Sequence, residues 1–121
     1  MKSSDGEILK RLRKACGRLP ESTETVTFGH PAFQVNGKTF AVLEEYKGEL
    51  SVCFRVEKSV QDVFLGDPRF YRTPYIGKHG WVSLKVYAAP LDWSEIGQLL
   101  GGSRELVAAQ GPRRRRKTGS G

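Results

Sequence analysis

Two consecutive β-hairpins are predicted between residues 33 and 56, and they constrain the fold more than any other feature. Apolar and β-branched runs flank Asn36-Gly37 on both sides. Asn-Gly is a strong hairpin signal because both residues tolerate the positive φ angles of a two-residue turn. A second turn at residues 46–49 leads into residues 50–56, where apolar and polar side chains alternate as in a strand with one buried face. We therefore expect an antiparallel sheet.

An amphipathic helix is predicted over residues 4–19, ahead of the hairpins. Ser4 and Glu7 have the spacing of a capping box, and the apolar residues that follow recur with a helical period. Cys16 falls on this apolar stripe, so we expect it in the core. The opposite face is basic and carries Lys10, Arg11, Arg13, Lys14 and Arg18. Such a face is either solvated or in contact with phosphate groups.

A short helix and a further strand are predicted after the hairpins. Residues 57–65 have a helical pattern in which Val60, Val63 and Phe64 face inward. Residues 81–87 alternate between apolar and polar side chains, which is typical of a strand with one face in the core.

The C-terminal part is predicted to contain two short helices. Asp92 has the position of an N-cap for the first, and we expect Gly101-Gly102 to end it before a second helix begins near Ser103. Antiparallel hairpins with segregated helices define an α+β fold class. We expect an antiparallel sheet with hairpin wings, packed against helices on one face, in a single domain that spans residues 1–111.

The positive charge is concentrated near the C-terminus. The chain of 121 residues has 20 Lys and Arg against 13 Asp and Glu, which gives a formal charge of +7. Removing the five basic residues at 113–117 leaves 15 basic residues against 13 acidic ones, so the body is nearly neutral. We expect residues 112–121 to form a disordered basic tail. This tail is either an arm that neutralises nucleic-acid phosphates, or a solubility tail or cloning remnant.

The sequence argues against membrane-spanning, secreted and disulfide-bonded proteins. The longest apolar run, at residues 40–43, is far shorter than the roughly 20 residues of a membrane-spanning helix. The N-terminus lacks the apolar region of a secretory signal. Cys16 and Cys53 share no motif, so we expect no disulfide. We therefore expect a cytoplasmic protein with no membrane partner.

No complete catalytic or metal-binding set is recognisable in the sequence. His30 and His79 are the only imidazoles, and neither lies beside a nucleophile in a G-x-S-x-G elbow. The histidines and cysteines also lack the spacing of a structural zinc site. His30 precedes Pro31 and is expected to be structural, whereas His79 is expected to be exposed in a turn. We therefore expect no enzymatic activity, no cofactor and no metal.

Basic residues on predicted turns lie close in the sequence to aromatic residues. Lys38 follows the Asn36-Gly37 turn, and Lys78 and His79 lie in a glycine-flanked turn. Cationic side chains bind phosphates, and exposed aromatic rings stack on unpaired bases, although the aromatic residues here are equally consistent with core positions. The candidate nucleic-acid contacts are Lys38, Arg69, Arg72, Lys78, His79, Lys85, Arg113, Arg114, Arg115, Arg116 and Lys117.

Several short motifs occur in an order that is typical of one protein family. They are Gly29-His30-Pro31-x-Phe33, Asn36-Gly37-Lys38-x-Phe40-Ala41, Tyr75-x-Gly77-x-x-Gly80-Trp81-Val82, Asp92-Trp93 and Ser103-x-Glu105-Leu106-Val107. In this order they resemble the MmcQ/YjbR family over about residues 6–110. Family members commonly have an aromatic residue after the serine, where this chain has Arg104.

This resemblance implies both a fold and a function. It implies an α+β fold similar to CyaY, the bacterial frataxin, and a proposed DNA-binding double wing of β-hairpins. Lys38 and Lys78 then lie at or near the tips of the wings. We expect a small, monomeric, non-catalytic protein whose partner is DNA, bound through two basic wings and the arginine-rich arm.

Two alternatives remain open. In the first, the protein is a domain that binds a small ligand, an anion or another protein. Its candidate pocket is formed by His30, Phe33, Tyr75 and Trp81. Frataxin-like metal handling is less favoured, because it needs an acidic ridge of oxygen ligands and the first helix is basic on its outer face.

Overall fold

A six-stranded antiparallel sheet and three helices form the fold, in a computed structural model that describes residues 3–111. The elements are α1 (Ser3–Gly17), β1 (Thr23–Thr27), β2 (His30–Val35), β3 (Lys38–Tyr46), β4 (Glu49–Arg55), α2 (Lys58–Leu65), β5 (Phe70–Arg72), β6 (Trp81–Lys85) and α3 (Trp93–Ala108). The strand order is β1-β2-β3-β4-β6-β5, and every neighbouring pair is antiparallel. The predicted α+β class is therefore confirmed.

The main core lies between the helices and one face of the sheet. Leu12 and Cys16 of α1 and Leu100 of α3 are fully buried in it, together with Phe40 and Phe54 of the sheet. Phe64 of α2 joins the same core from the edge. The apolar stripe predicted for the first helix, with Cys16 on it, is confirmed.

The opposite face of the sheet has a second, smaller apolar cluster without any helical residue. Ala32, Val42 and Cys53 lie side by side on three adjacent strands, and Trp81 completes the cluster. Buried hydroxyl groups continue this row, since the Ser83 hydroxyl lies 3.2 Å from the Cys53 sulfur. This face is thus closed by its own side chains.

The first hairpin differs from the sequence prediction. The hairpins predicted from the sequence begin at residue 33, but an earlier hairpin precedes them: Phe28 and Gly29 form its turn, with φ angles of 52° and 80°, and His30 and Pro31 belong to β2. Two positive φ angles are typical of a type I′ hairpin turn. Phenylalanine rarely occupies such a turn, which explains why no local pattern indicated it.

The helices also differ from the prediction in three places. Ser4 lies inside α1 and not at a capping position, and its hydroxyl lies 3.0 Å from the Tyr87 hydroxyl. In α2, Val60 and Val63 are exposed, and Gln61 is buried instead. Gly101-Gly102 does not break the helix, because α3 continues without interruption to Ala108.

The strand register places two connections at the same end of the sheet. Ala41 pairs with Phe54, and Arg55 pairs with Trp81, so the start of β3, the end of β4 and the start of β6 lie together. The turn that precedes Lys38 and the segment 73–80 that joins β5 to β6 therefore extend from this end. We call it the Lys38–Lys78 end.

Candidate nucleic-acid interface

The segment 73–80 is held in a defined conformation at the Lys38–Lys78 end. Residues Gly77–His79 form a 3₁₀ turn, and Gly80 follows with a φ of 97°. The Gly80 carbonyl accepts a hydrogen bond from the Val56 N–H at 2.9 Å. The buried Gln61 amide donates to the Gly77 carbonyl at 2.7 Å and to the Trp81 carbonyl at 3.1 Å. The helix α2 thus anchors both ends of the turn.

Close approach explains why glycine occupies two positions of this segment. A Cβ on Gly80 would overlap the Val56 carbonyl oxygen, and the left-handed φ excludes most other residues. A Cβ on Gly77 would overlap the Arg72 side chain, so the stem of Arg72 lies against this glycine. Because neither glycine has a side chain, Arg72 and Lys58 can lie close to the turn.

Five side chains surround this turn and form what we call the loop cluster: Arg55, Lys58, Arg72, Lys78 and His79. Arg55 Nε donates to the His79 carbonyl at 3.0 Å. The Cγ atom of Lys58 lies 3.6 Å from the position that a Cβ on Gly80 would take. Lys78 and His79 are exposed within the turn itself, as expected for His79.

No carboxylate neutralises these cations within residues 3–111. None of the ion pairs in that part of the chain involves a residue of the loop cluster or Lys38. Glu57 precedes Lys58 in the sequence and is exposed, but it forms no ion pair with the cluster. Unpaired cations at an exposed sheet end attract polyanions.

Lys38 lies at the same end, two strands away from β6. The turn before it is formed by Asn36 and Gly37 with φ angles of 54° and 76°, as predicted. Because β4 separates β3 from β6, the lateral distance between the two strands is about 10 Å. This distance is comparable to the width of about 12 Å of the DNA major groove.

Two other predicted contacts are not part of this surface. Arg69 is held by Asp67 and Glu95, with ion-pair distances of 2.8 Å to each, and the Arg69 hydrogen bonds lower the pKa of Asp67. Lys85 lies at the other end of β6, where it pairs with Ser51. Residues 113–117 of the predicted arm, and the whole tail 112–121, lie outside the described residues.

The candidate pocket predicted from the sequence does not form. Phe33 lies in the core beneath the helices, whereas Trp81 belongs to the cluster on the opposite face. His30 pairs with Thr27 at the far end of β2, and the Tyr75 side chain is 91% exposed. The sheet therefore separates Phe33 from Trp81, because alternate positions of a strand face opposite sides, and His30 lies at the other end of β2 from the 73–80 segment that holds Tyr75.

A serine in the middle of α3 supports the loop cluster and was assigned to the wrong place by the sequence analysis. The Ser103 hydroxyl donates to the Phe40 carbonyl at 2.7 Å and accepts from the Arg55 N–H at 2.9 Å. The β3–β4 ladder stops at Ala41 and Phe54, so Ser103 bridges the next two residues of these strands. It fixes the backbone of Arg55.

Arg55 and Lys58 were also missed as candidate contacts. They are more than 15 residues from the 77–80 turn in the sequence, and no local motif connects them with it. The pairing of β4 with β6 brings Arg55 to the turn. The only sequence signal for Arg55 as a contact is the alternation that predicted β4, because it places Arg55 near the end of that strand.

The two thiols are shielded, and the described part of the chain offers no cluster of metal ligands. Burial raises the pKa of both Cys16 and Cys53 to about 12. Within residues 3–111, no three His, Cys, Asp or Glu side chains lie together as metal ligands would. In the same range, no helix has both the length and the apolar character that crossing a membrane requires.

Comparisons with known proteins place this fold in context. A family model described as YjbR matches residues 17–106. The crystal structure of a Deinococcus radiodurans protein with a DUF419 domain is similar to this chain, with a TM-score of 0.73 and 22% sequence identity. The similarity covers 88% of this chain and 82% of that one, and at this identity it concerns the fold alone. No curated protein matches the sequence.

Proposed function

This chain belongs to the YjbR family, and from that premise we propose that it is a non-catalytic DNA-binding protein that contacts the phosphate backbone. The observation that carries this proposal is the loop cluster: four permanent cations and His79 surround one turn, and none of them has an acidic partner within residues 3–111. Lys38 extends the same charge across the end of the sheet.

The shape of this end favours a backbone contact and not the reading of bases. The cations lie in the 77–79 turn, at strand ends and on the first residue of α2, so no single helix carries them as a recognition helix would. Phosphate contacts position a protein on DNA but carry no sequence information. We therefore expect weak binding with little sequence preference, which residues 113–117 strengthen by adding five positive charges.

The test compares two double variants of the full-length protein that lose the same charge. Lys38→Ala with Lys78→Ala removes two cations of the proposed interface. Lys10→Ala with Lys47→Ala removes two exposed lysines elsewhere, one on α1 and one in the turn at the opposite end of the sheet. Fluorescence anisotropy with a labelled duplex at low salt measures the affinity of each.

The proposal predicts that only the first double variant binds DNA more weakly. Each phosphate contact contributes a salt-dependent share of the affinity, so the loss is largest at low salt. Equal weakening in both variants would mean that net charge alone determines binding, and it would refute an interface at the Lys38–Lys78 end.

A further inference from the structure

A second basic surface lies on the helical side of the molecule and shares no residue with the loop cluster. Arg11, Lys14 and Arg18 follow each other at helical spacing along one side of α1 and just beyond it, and all three are exposed. Together with Trp93, the first residue of α3, they line a hollow of about 150 Å³. We call this set the α1 basic groove.

The cations of the α1 basic groove lack acidic partners within residues 3–111. The neighbouring Arg13 is neutralised by Glu24, whose carboxylate accepts at 2.8 Å. Glu7 lies one helical turn before Arg11, but no ion pair joins them, and the Arg11 guanidinium instead lies 5.2 Å from the centre of the Trp93 ring. Three unpaired cations therefore border one aromatic side chain.

A larger and mostly apolar hollow continues from this groove towards the start of α1. Its volume is about 610 Å³, and Arg11 and Trp93 line both hollows. The apolar lining comes from Ile8, Val86, Ala88, Ala89, Pro90 and Leu91. The volume falls within the range of about 300–1,000 Å³ of small-molecule sites.

We propose that the α1 basic groove and this adjoining hollow bind a nucleoside polyphosphate. Arg18 follows Arg11 by seven positions, a rise of about 10 Å that matches a chain of phosphates and not a single one. Arginine and lysine are the usual ligands of phosphate oxygens. The adjoining apolar hollow then accepts the flat base.

The concave shape of the α1 basic groove distinguishes it from the proposed DNA interface. DNA grooves admit protruding elements, whereas these cations lie in a depression between α1, the segment 86–91 and Trp93. The inference is independent of the proposed function, because the site includes neither Lys38 nor any residue of the loop cluster.

The experiment is a titration of the full-length protein with ATP, followed by tryptophan fluorescence. Trp93 lines the site, whereas Trp81 is buried on the opposite face of the sheet. The variant Trp93→Phe shows which of the two tryptophans gives the fluorescence change. The test variant is Lys14→Ala with Arg18→Ala, which changes only exposed side chains. A second variant, with residues 113–117 changed to serine, removes binding to the tail.

The proposal predicts saturable ATP binding that survives the change of residues 113–117. It predicts at least a tenfold loss of affinity in the Lys14→Ala, Arg18→Ala variant, and none in the charge-matched Lys10→Ala, Lys47→Ala control. Adenosine and inorganic triphosphate should each bind at least tenfold more weakly than ATP.

Three results would overturn the proposal. The first is no saturation by about 1 mM ATP. The second is equal affinity for ATP in the test variant and the wild type. The third is equal affinity for ATP and inorganic triphosphate, which would reduce the site to a surface for anions. The Lys38→Ala, Lys78→Ala variant should bind ATP normally, so failure here is distinguishable from failure of the DNA proposal.

Discussion

Ser103 offers the most direct test of how α3 and the sheet support the loop cluster. Its side chain is 1% exposed, and its hydroxyl connects the Phe40 carbonyl with the Arg55 N–H. The change Ser103→Ala removes both hydrogen bonds without adding volume. The Phe40 carbonyl and the Arg55 N–H then lose the hydroxyl that bridges them.

The expected loss of stability follows from these two backbone groups. Leaving a buried donor or acceptor unsatisfied costs about 1–3 kcal/mol. Two such groups, with partial relaxation, give a loss of about 2–5 kcal/mol. For a domain of this size, about 4 °C of melting temperature corresponds to 1 kcal/mol. We therefore expect Ser103→Ala to lower the melting temperature by about 8–20 °C.

Urea unfolding followed by circular dichroism measures this loss, and Ser94→Ala is the matched control. Ser94 lies in the same helix but is exposed, so its change should alter stability by less than about 0.5 kcal/mol. A similarly small effect of Ser103→Ala would show that the Arg55 N–H and the Phe40 carbonyl pair directly once the hydroxyl is absent. That result would refute the bridging role.

Three further predictions concern single features of the fold. Gly80→Ala should cost more than about 2 kcal/mol in urea unfolding, because its Cβ overlaps the Val56 carbonyl and its φ is left-handed; a smaller cost would contradict the packing of the turn. Phe28→Asn should raise stability by up to about 1 kcal/mol in the same assay, since asparagine tolerates the φ of 52° and the phenylalanine side chain is 96% exposed; no gain would mean that the turn is unstrained. Because the folded pKa of Cys16 and Cys53 is raised from 9.0 to about 12, stability should be full below pH 9 and should fall between pH 9 and 12 by about 1.4 kcal/mol per unit for each thiol. The double change of both cysteines to alanine should flatten that decline, and an unchanged slope would exclude the thiols as its source.

Local patterns were sufficient to predict most of the sheet. The Asn36-Gly37 turn and the alternation in β4 depend on neighbours in the sequence, so both were found. The Phe28-Gly29 turn was missed because phenylalanine disfavours a positive φ and the hairpin forms through its strand pairing. Tertiary contacts determine the outcome at such positions.

The continuity of α3 shows the same limit for helices. Glycine lowers helix propensity, so Gly101-Gly102 predicted a break. Leu100, Ser103 and Val107 are nevertheless buried at helical spacing on both sides of it. Their burial against the sheet outweighs a propensity loss of about 1 kcal/mol for each glycine.

The candidate site was only partly predictable from the sequence. Lys38 and Lys78 were identified from their turns, and the register places both at one end of the sheet. Arg69 was kept as a candidate because one of its two acidic partners, Glu95, lies 26 residues away in the sequence. The positions of Arg55 and Lys58 beside the 77–80 turn follow only from the pairing of β4 with β6.

The salt dependence of DNA binding is the sharpest test of an interface at the Lys38–Lys78 end. The protein is full-length with residues 113–117 changed to serine, so that only the body contributes. Five cations at the Lys38–Lys78 end predict a slope of log Kobs against log salt of up to about −4.5. Lys38→Ala with Lys78→Ala should make it less steep by about 1.8, while Lys10→Ala with Lys47→Ala leaves it unchanged. No binding at low salt, or the same slope in all three proteins, would contradict the account.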